Sequence, residues 1–194
     1  MRKLALTTLA VLLPAGLLAQ GRPIDTARSS IMVKAFKSGL FSAFAHDHLV
    51  KAPVALGEVR LGQNLGVDLS IQSGRLVALD PDLPADKRAE VQRRMQGPEV
   101  LDSERYPEIR FRSTQVQPLA GDRWRVEGEL TLHGQTRPVS LEVSGDGAHY
   151  SGRTRIRQRD FGIEPVSVAG GTVKVKNELV IEFAIYLANA STGQ

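Results

Sequence analysis

Two histidines lie two residues apart in the stretch FSAFAHDHLVKA, residues 41–52, with an aspartate between them. Side chains at i and i+2 of a strand project to the same side. His46 and His48 would therefore share a face with Phe44 and Val50, while Asp47 points away. Paired imidazoles on one face can hold a divalent metal, so a metal-binding protein or a metal-dependent enzyme built on His46 and His48 is one reading. A zinc site, however, takes three or four protein ligands. The chain has no cysteine, and its other histidines are His133 and His149, both beside turns. No third ligand is supplied locally, so no metal site is expected and hydrogen-bonded histidines are the simpler reading.

Other catalytic settings are as sparse. Serines are common, yet no G-x-S-x-G elbow surrounds any of them. Gly170-Gly171 precedes a strand-like run and not a helix, so it does not cradle phosphate. Asp160-Phe161-Gly162 lacks every other kinase element and reads as turn chemistry. The row Arg153, Arg155, Arg157 and Arg159 reads as a solvated face. No catalytic residue and no cofactor are expected.

The elements around these residues are mostly strands. Period-two alternation places Trp124, Val126, Leu130 and Leu132 on one face of RWRVEGELTLHG, and Val139, Leu141 and Val143 on one face of RPVSLEVSG. The HGQT between them marks a hairpin. Ile109 and Phe111, then Val67, Leu69 and Ile71, alternate in the same way. TVKVKNELVIEFAIYL is a long closing strand with Val173, Val175, Leu179, Ile181, Phe183 and Ile185 on a single face. With runs near residues 30–36 and 44–61, the second bent at Pro53, about eight strands are expected. Short connections make them antiparallel, and exposed edges favour a sheet that closes on itself. Phe111, Trp124, Val126, Leu130, Leu132, Val139, Leu141, Leu179, Ile181 and Phe183 form the predicted inward stripe. DLPADKRAEVQRRMQGP reads as a single helix, with Pro84 in its first turn and Gly97-Pro98 as its stop. Its thin apolar stripe, Leu83, Val91 and Met95, predicts a helix lying over one end or seam of the sheet.

Composition limits the function. Met1-Arg2-Lys3 followed by the apolar run to Leu18 reads as a secretory signal peptide over residues 1–19, cleaved after Ala19. Removing 19 of the 194 residues leaves 175, enough for one domain with a real core. That core must do without disulfides in a periplasmic or extracellular location. Losing Arg2 and Lys3 leaves 23 basic against 21 acidic residues, which is no footprint of nucleic-acid binding. A small outer-membrane barrel shares the strand count and the leader. It needs aromatic girdles where the chain is only 5% aromatic, but the Arg- and Glu-rich stripes could line a filled lumen, so alternation alone leaves that alternative open.

The order of landmarks resembles the YceI-like family of exported bacterial lipid-binding proteins. The resemblance rests on Leu101, Asp102, Tyr106, Pro107, Ile109, Phe111 and Ser113, then on Gly128, Leu130, Thr131, His133, Gly134, Thr136, Pro138 and Val139. It covers about residues 25–188, essentially the mature chain. It implies an all-β fold: an elongated, antiparallel, eight-stranded, lipocalin-like barrel with one short helix between the early and middle strands. It also implies an enclosed isoprenoid or fatty-acid-like lipid and frequent dimerisation. Beside it, a non-enzymatic protein, a homodimer and transient contact with a membrane surface are expected. Family members commonly carry a single histidine followed by a glycine-containing stretch near the first strands, where this chain has Ala45-His46-Asp47-His48.

The candidate ligand-binding residues are Phe44, His46, His48, Phe111, Leu130, Leu132, Leu141, Leu179, Ile181 and Phe183. The two histidines either enter the barrel near its mouth or pack outward under the helix. The expected placement is inside, near an opening, where at least one hydrogen-bonds the ligand's polar head. Burying a 15-carbon tail contributes roughly 12 kcal/mol gross, at about 0.8 kcal/mol per methylene. Micromolar binding survives association costs without special polar contacts.

Overall fold

The computed structural model describes residues 21–38, 47–168 and 173–189. Among the described residues, twelve strands form one antiparallel sheet. In chain order they are β1 (Gly21–Pro23), β2 (Ser30–Ser38), β3 (His48–Ala52), β4 (Val54–Arg60), β5 (Gly66–Gln72), β6 (Val77–Ala78), β7 (Glu108–Leu119), β8 (Arg123–Leu132), β9 (Gln135–Gly145), β10 (His149–Arg157), β11 (Ser167–Val168) and β12 (Val173–Tyr186). The α-helix of the described residues, α1 (Ala85–Gln96), lies between β6 and β7.

The strand count exceeds the expected eight for two physical reasons. Pro53 has no N–H for a ladder and divides the run from residue 48 to 60 into β3 and β4. Three pieces of two or three residues, β1, β6 and β11, are too short to show any alternation.

The break at Pro53 also curls the sheet. β3 pairs with β2 while β4 pairs with β5, at opposite ends of the strand order, so one bent run belongs to both. At the other end β1 pairs with β4, Ile24 bridges to Leu187, and Arg22 donates to the carbonyls of Gly147 and Ala188 at 2.9 Å each. The result is barrel-like, with inward apolar parity and outward charge. Along β10 and β12 the outer face carries Arg153–Glu182 at 3.8 Å and Arg155–Glu178 at 3.3 Å, and Lys34 of β2 reaches Glu182 at 2.7 Å. The outer-membrane barrel weighed above requires the opposite arrangement, an apolar band facing lipid.

The strongest hairpin is β8–β9. His133 and Gly134 both take positive φ, 50° and 70°, as a two-residue primed turn requires. A side chain at Gly134 would meet the Tyr106 ring, which also packs edge-on against His133 at 4.7 Å. The tyrosine–proline segment and the histidine–glycine turn, 27 residues apart in sequence, therefore form one corner.

α1 begins after Pro84 and ends at Gly97, whose N–H caps the carbonyls of Arg93 and Arg94. No residue of the helix is fully buried. It is tied down by glutamines: Gln92 accepts from the Ala78 N–H and donates to the Leu76 carbonyl, both at 2.7 Å. Gln96 donates to the Gly74 carbonyl at 2.7 Å. The Gln92 amide thus supplies the sheet's edge strand β6 with the two bonds another strand would give.

Candidate functional site

Inside the sheet lies a cavity of about 240 Å³. Its wall is built by parity, from Val67, Leu69 and Ile71 on β5 around through β7, β8, β9, β10 and β12 to Ile31 and Val33 on β2. All ten residues of the predicted inward stripe line it. Phe111, Val126 and Leu132 are buried, and the others are half-buried because they border empty space.

Two phenylalanines reach into this space because glycines give them room. An added Cβ at Gly128 would lie 2.5 Å from the Phe111 ring, and one at Gly152 would lie 2.5 Å from the Phe183 ring. Among the described residues, the polar lining is limited to Arg60, Thr154 and Tyr150. Tyr150 packs edge-on against Trp124 at 5.7 Å, and burial raises its phenol above the ordinary value of 10.0.

A bulge between Ser113 and Gln115 reverses the parity of β7, turning Val116 inward after Ile109 and Phe111. Simple alternation does not reveal that lining residue. Another bulge, between Val54 and Leu56, leaves Leu56 outside and 65% exposed.

A second hollow, of about 560 Å³, lies between α1 and the sheet. Leu83, Val91 and Met95 from the helical stripe form its roof, with Val33, Ala35, Val50 and Val175 opposite. It shares Val33, Leu76, Leu101 and Leu179 with the barrel cavity, so those four side chains line both spaces.

His48 lines this second hollow and not the barrel interior. The expectation of a histidine inside the barrel is corrected to one under the helix. Its Nδ1 lies 2.8 Å from Oδ2 of Asp80, whose side chain is 1% exposed. The other carboxylate oxygen accepts the Leu49 N–H at 2.7 Å. Asp80 takes φ 23°, a conformation that aspartate tolerates better than most side chains. The pair anchors the segment leading to α1 onto β3. Sequence reasoning passed over Asp80 because Asp80-Pro81-Asp82 reads as a plain turn.

Phe44 and His46 lie outside the described residues. Among the described residues no group of three or more His, Cys, Asp or Glu is placed to hold a metal. His133 and His149 are engaged elsewhere: the former contacts the Phe161 carbonyl at 3.2 Å, and the latter stacks on Tyr186 at 4.3 Å. Asp160-Phe161-Gly162 is turn chemistry as read, in a 3-10 turn (Gln158–Phe161) closed by Gly162 at φ 72°. Phe161 is 1% exposed and therefore also part of the core, a role its turn setting concealed.

An antiparallel sheet rolled around an apolar cavity and charged outside, with one helix over an adjoining hollow, defines a lipocalin-like barrel. The chain belongs to the YceI-like family, whose domain it matches over residues 23–187. A UPF0312 protein of Vibrio parahaemolyticus is 28% identical over 192 residues, covering 90% of this chain and 92% of that one. A UPF0312 protein of Vibrio cholerae is 30% identical over 120 residues, covering 57% of this chain, and the match spans only 62% of the relative's length. Among solved structures, BcnA of Burkholderia cenocepacia superposes with a TM-score of 0.64 at 18% identity, covering 86% of this chain and 99% of that one. A polyisoprenoid-binding domain from Saccharophagus degradans, implicated in plant cell wall breakdown, gives 0.55 at 13% identity, covering 85% and 96%. At such identities the structural likeness speaks for the fold.

Proposed function

We propose that the chain is an exported, non-enzymatic binding protein that holds a long amphiphile, isoprenoid or fatty-acid-like, inside its barrel for carriage, storage or stress protection. The observation that carries this reading is the lining of the inner cavity. Apolar side chains converge on it from the surrounding strands, and its ionisable lining groups are Arg60 and Tyr150. A cavity of that composition excludes water and accepts hydrocarbon. The polyisoprenoid-binding relative of the same fold supports the ligand class.

Export through the leader at residues 1–19, a periplasmic or secreted location, a homodimer and transient membrane contact for loading complete the proposal. Mass spectrometry of organic extracts from gently purified protein tests it: a co-purifying long-chain amphiphile is expected. An extract without one, from protein that also takes up none in vitro, overturns the reading. Amino-terminal sequencing of an osmotic-shock fraction tests export, with Gln20 expected as the first residue.

A further inference from the structure

The two adjoining hollows differ in charge. Among the described residues, Lys174 from β12 and Lys87 and Arg94 from the helix line the space under α1, together with the carboxylate of Glu90. The Asp80 carboxylate stands behind His48, which it engages. Lys87 meets Glu90 at 3.4 Å and Arg94 meets Glu99 at 2.8 Å, but all four of those side chains are 40% exposed or more. Exposed pairs of this kind are held weakly and yield readily to a competing anion. The floor beneath them remains apolar, with Val33, Val50, Leu76 and Leu101.

We propose that the hollow under α1 is a head-group site, and that it selects single-chain amphiphiles ending in an anionic group, a carboxylate or a phosphate. The inference rests on the container reading above and extends it to the ligand's polar end. A charged terminus cannot enter the barrel cavity without losing its solvation to a wall nearly devoid of donors. Beneath α1 it meets ammonium and guanidinium donors, and Val33, Leu76, Leu101 and Leu179, which line both spaces, are the side chains its tail must displace to enter the barrel. Arg60, at another point of the barrel lining and 3.1 Å from Glu58, is the competing cation.

Trp124 supplies the readout, because it is the chain's single tryptophan and lines the barrel cavity. The full mature chain is titrated at neutral pH with palmitate and with palmitamide, which have equal length but differ in head charge. Hexadecyl phosphate is the second anion. The expected result is that both anions bind about tenfold more tightly than palmitamide, as charge-assisted hydrogen bonds would give. The preference should shrink in 1 M salt. Lys87→Gln combined with Lys174→Gln should bring the palmitate-to-palmitamide ratio below about twofold, whereas Arg60→Gln should leave that ratio near its wild-type value. Equal binding of palmitate and palmitamide overturns the head-group site and leaves the container intact. Collapse of the ratio in Arg60→Gln alone places the head at the wrong end and overturns it as well. Failure of all three probes to perturb Trp124 overturns the container reading and this inference together.

Discussion

The barrel interior and the hollow under α1 share a wall yet are built on different principles. The interior is an apolar surface made by repetition, with every second residue of neighbouring strands facing inward. The hollow is assembled once, from a helix, an edge strand, a buried carboxylate and the start of β12. The first is held mainly by area removed from water, which is additive and tolerant. The second is held by a few hydrogen bonds, each with a specific partner. The difference predicts which kinds of substitution each region resists.

A charge placed in the interior should have the largest effect. Leu132 is 7% exposed and belongs to the main hydrophobic cluster. Leu132→Asp buries a carboxylate with no cation beside it, costing about 3–5 kcal/mol, comparable with much of a domain's stability. We expect it to unfold or fail to accumulate at 25 °C, while Leu132→Met loses about 1 kcal/mol or less. Circular dichroism melts of both check this. A well-folded Leu132→Asp protein would break the account of the interior.

Asp80→Ala should come next, at about 2–4 kcal/mol. It removes the acceptor of the Leu49 N–H and the partner of His48 Nδ1, and leaves alanine at positive φ. Asp80→Asn keeps an acceptor and tolerates that backbone, so it should recover most of the loss. Urea titrations distinguish the two. If Asn proves as damaging as Ala, then charge and not hydrogen bonding holds this region.

Gln92→Ala should cost less, about 1–2 kcal/mol, because two neutral hydrogen bonds are lost at a partly exposed edge. The expected signature is local. Amide exchange at Ala78 should quicken while that of Phe111 and Val126 is unchanged. Uniform quickening would mean that α1 and the barrel unfold as one unit.

The same difference sets how much of the molecule was legible in its sequence. A wall made by repetition writes its period into the chain, so the parity of β8, β9 and β12 could be read directly. The helix was legible as well, because Pro84 and Gly97 punctuate it. Val116 was not, since a bulge leaves no unambiguous mark in composition. Asp80 and Gln92 were not either, because their partners are 32 and 14 residues away and their types are ordinary for a turn and a helix surface. His48 faces the hollow under α1 and not the barrel, which its alternation does not reveal. Alternation gives a side chain's face but not which part of a bent run still faces the barrel. Val33, Val50 and Ala52 show the changeover: Val50 lines the hollow, Ala52 the barrel, and Val33 both.

The outer face gives the smallest expected effect and completes the comparison. Glu182 lies on β12, with Lys34 Nζ at 2.7 Å and Arg153 Nε at 3.8 Å. The hydrogen bond from Lys34, then the positive charges of Lys34 and Arg153, hold its carboxyl below the ordinary 4.5. A folded-state value depressed in this way contributes stability that is fully present above pH 4.5. That contribution is lost as pH falls through the lower, folded value. Glu182→Gln should therefore lower the melting temperature slightly at neutral pH, and the difference from wild type should close in acid. Because the pair is solvent-exposed, 1 M salt should close it at neutral pH as well. Parallel melts across pH and salt provide the measurement. A wall whose stability comes from its inner face can exchange outward charges with little consequence. A loss in Glu182→Gln as large as that in Asp80→Ala would show that the outer ladder, and not the apolar interior, keeps β2, β10 and β12 together.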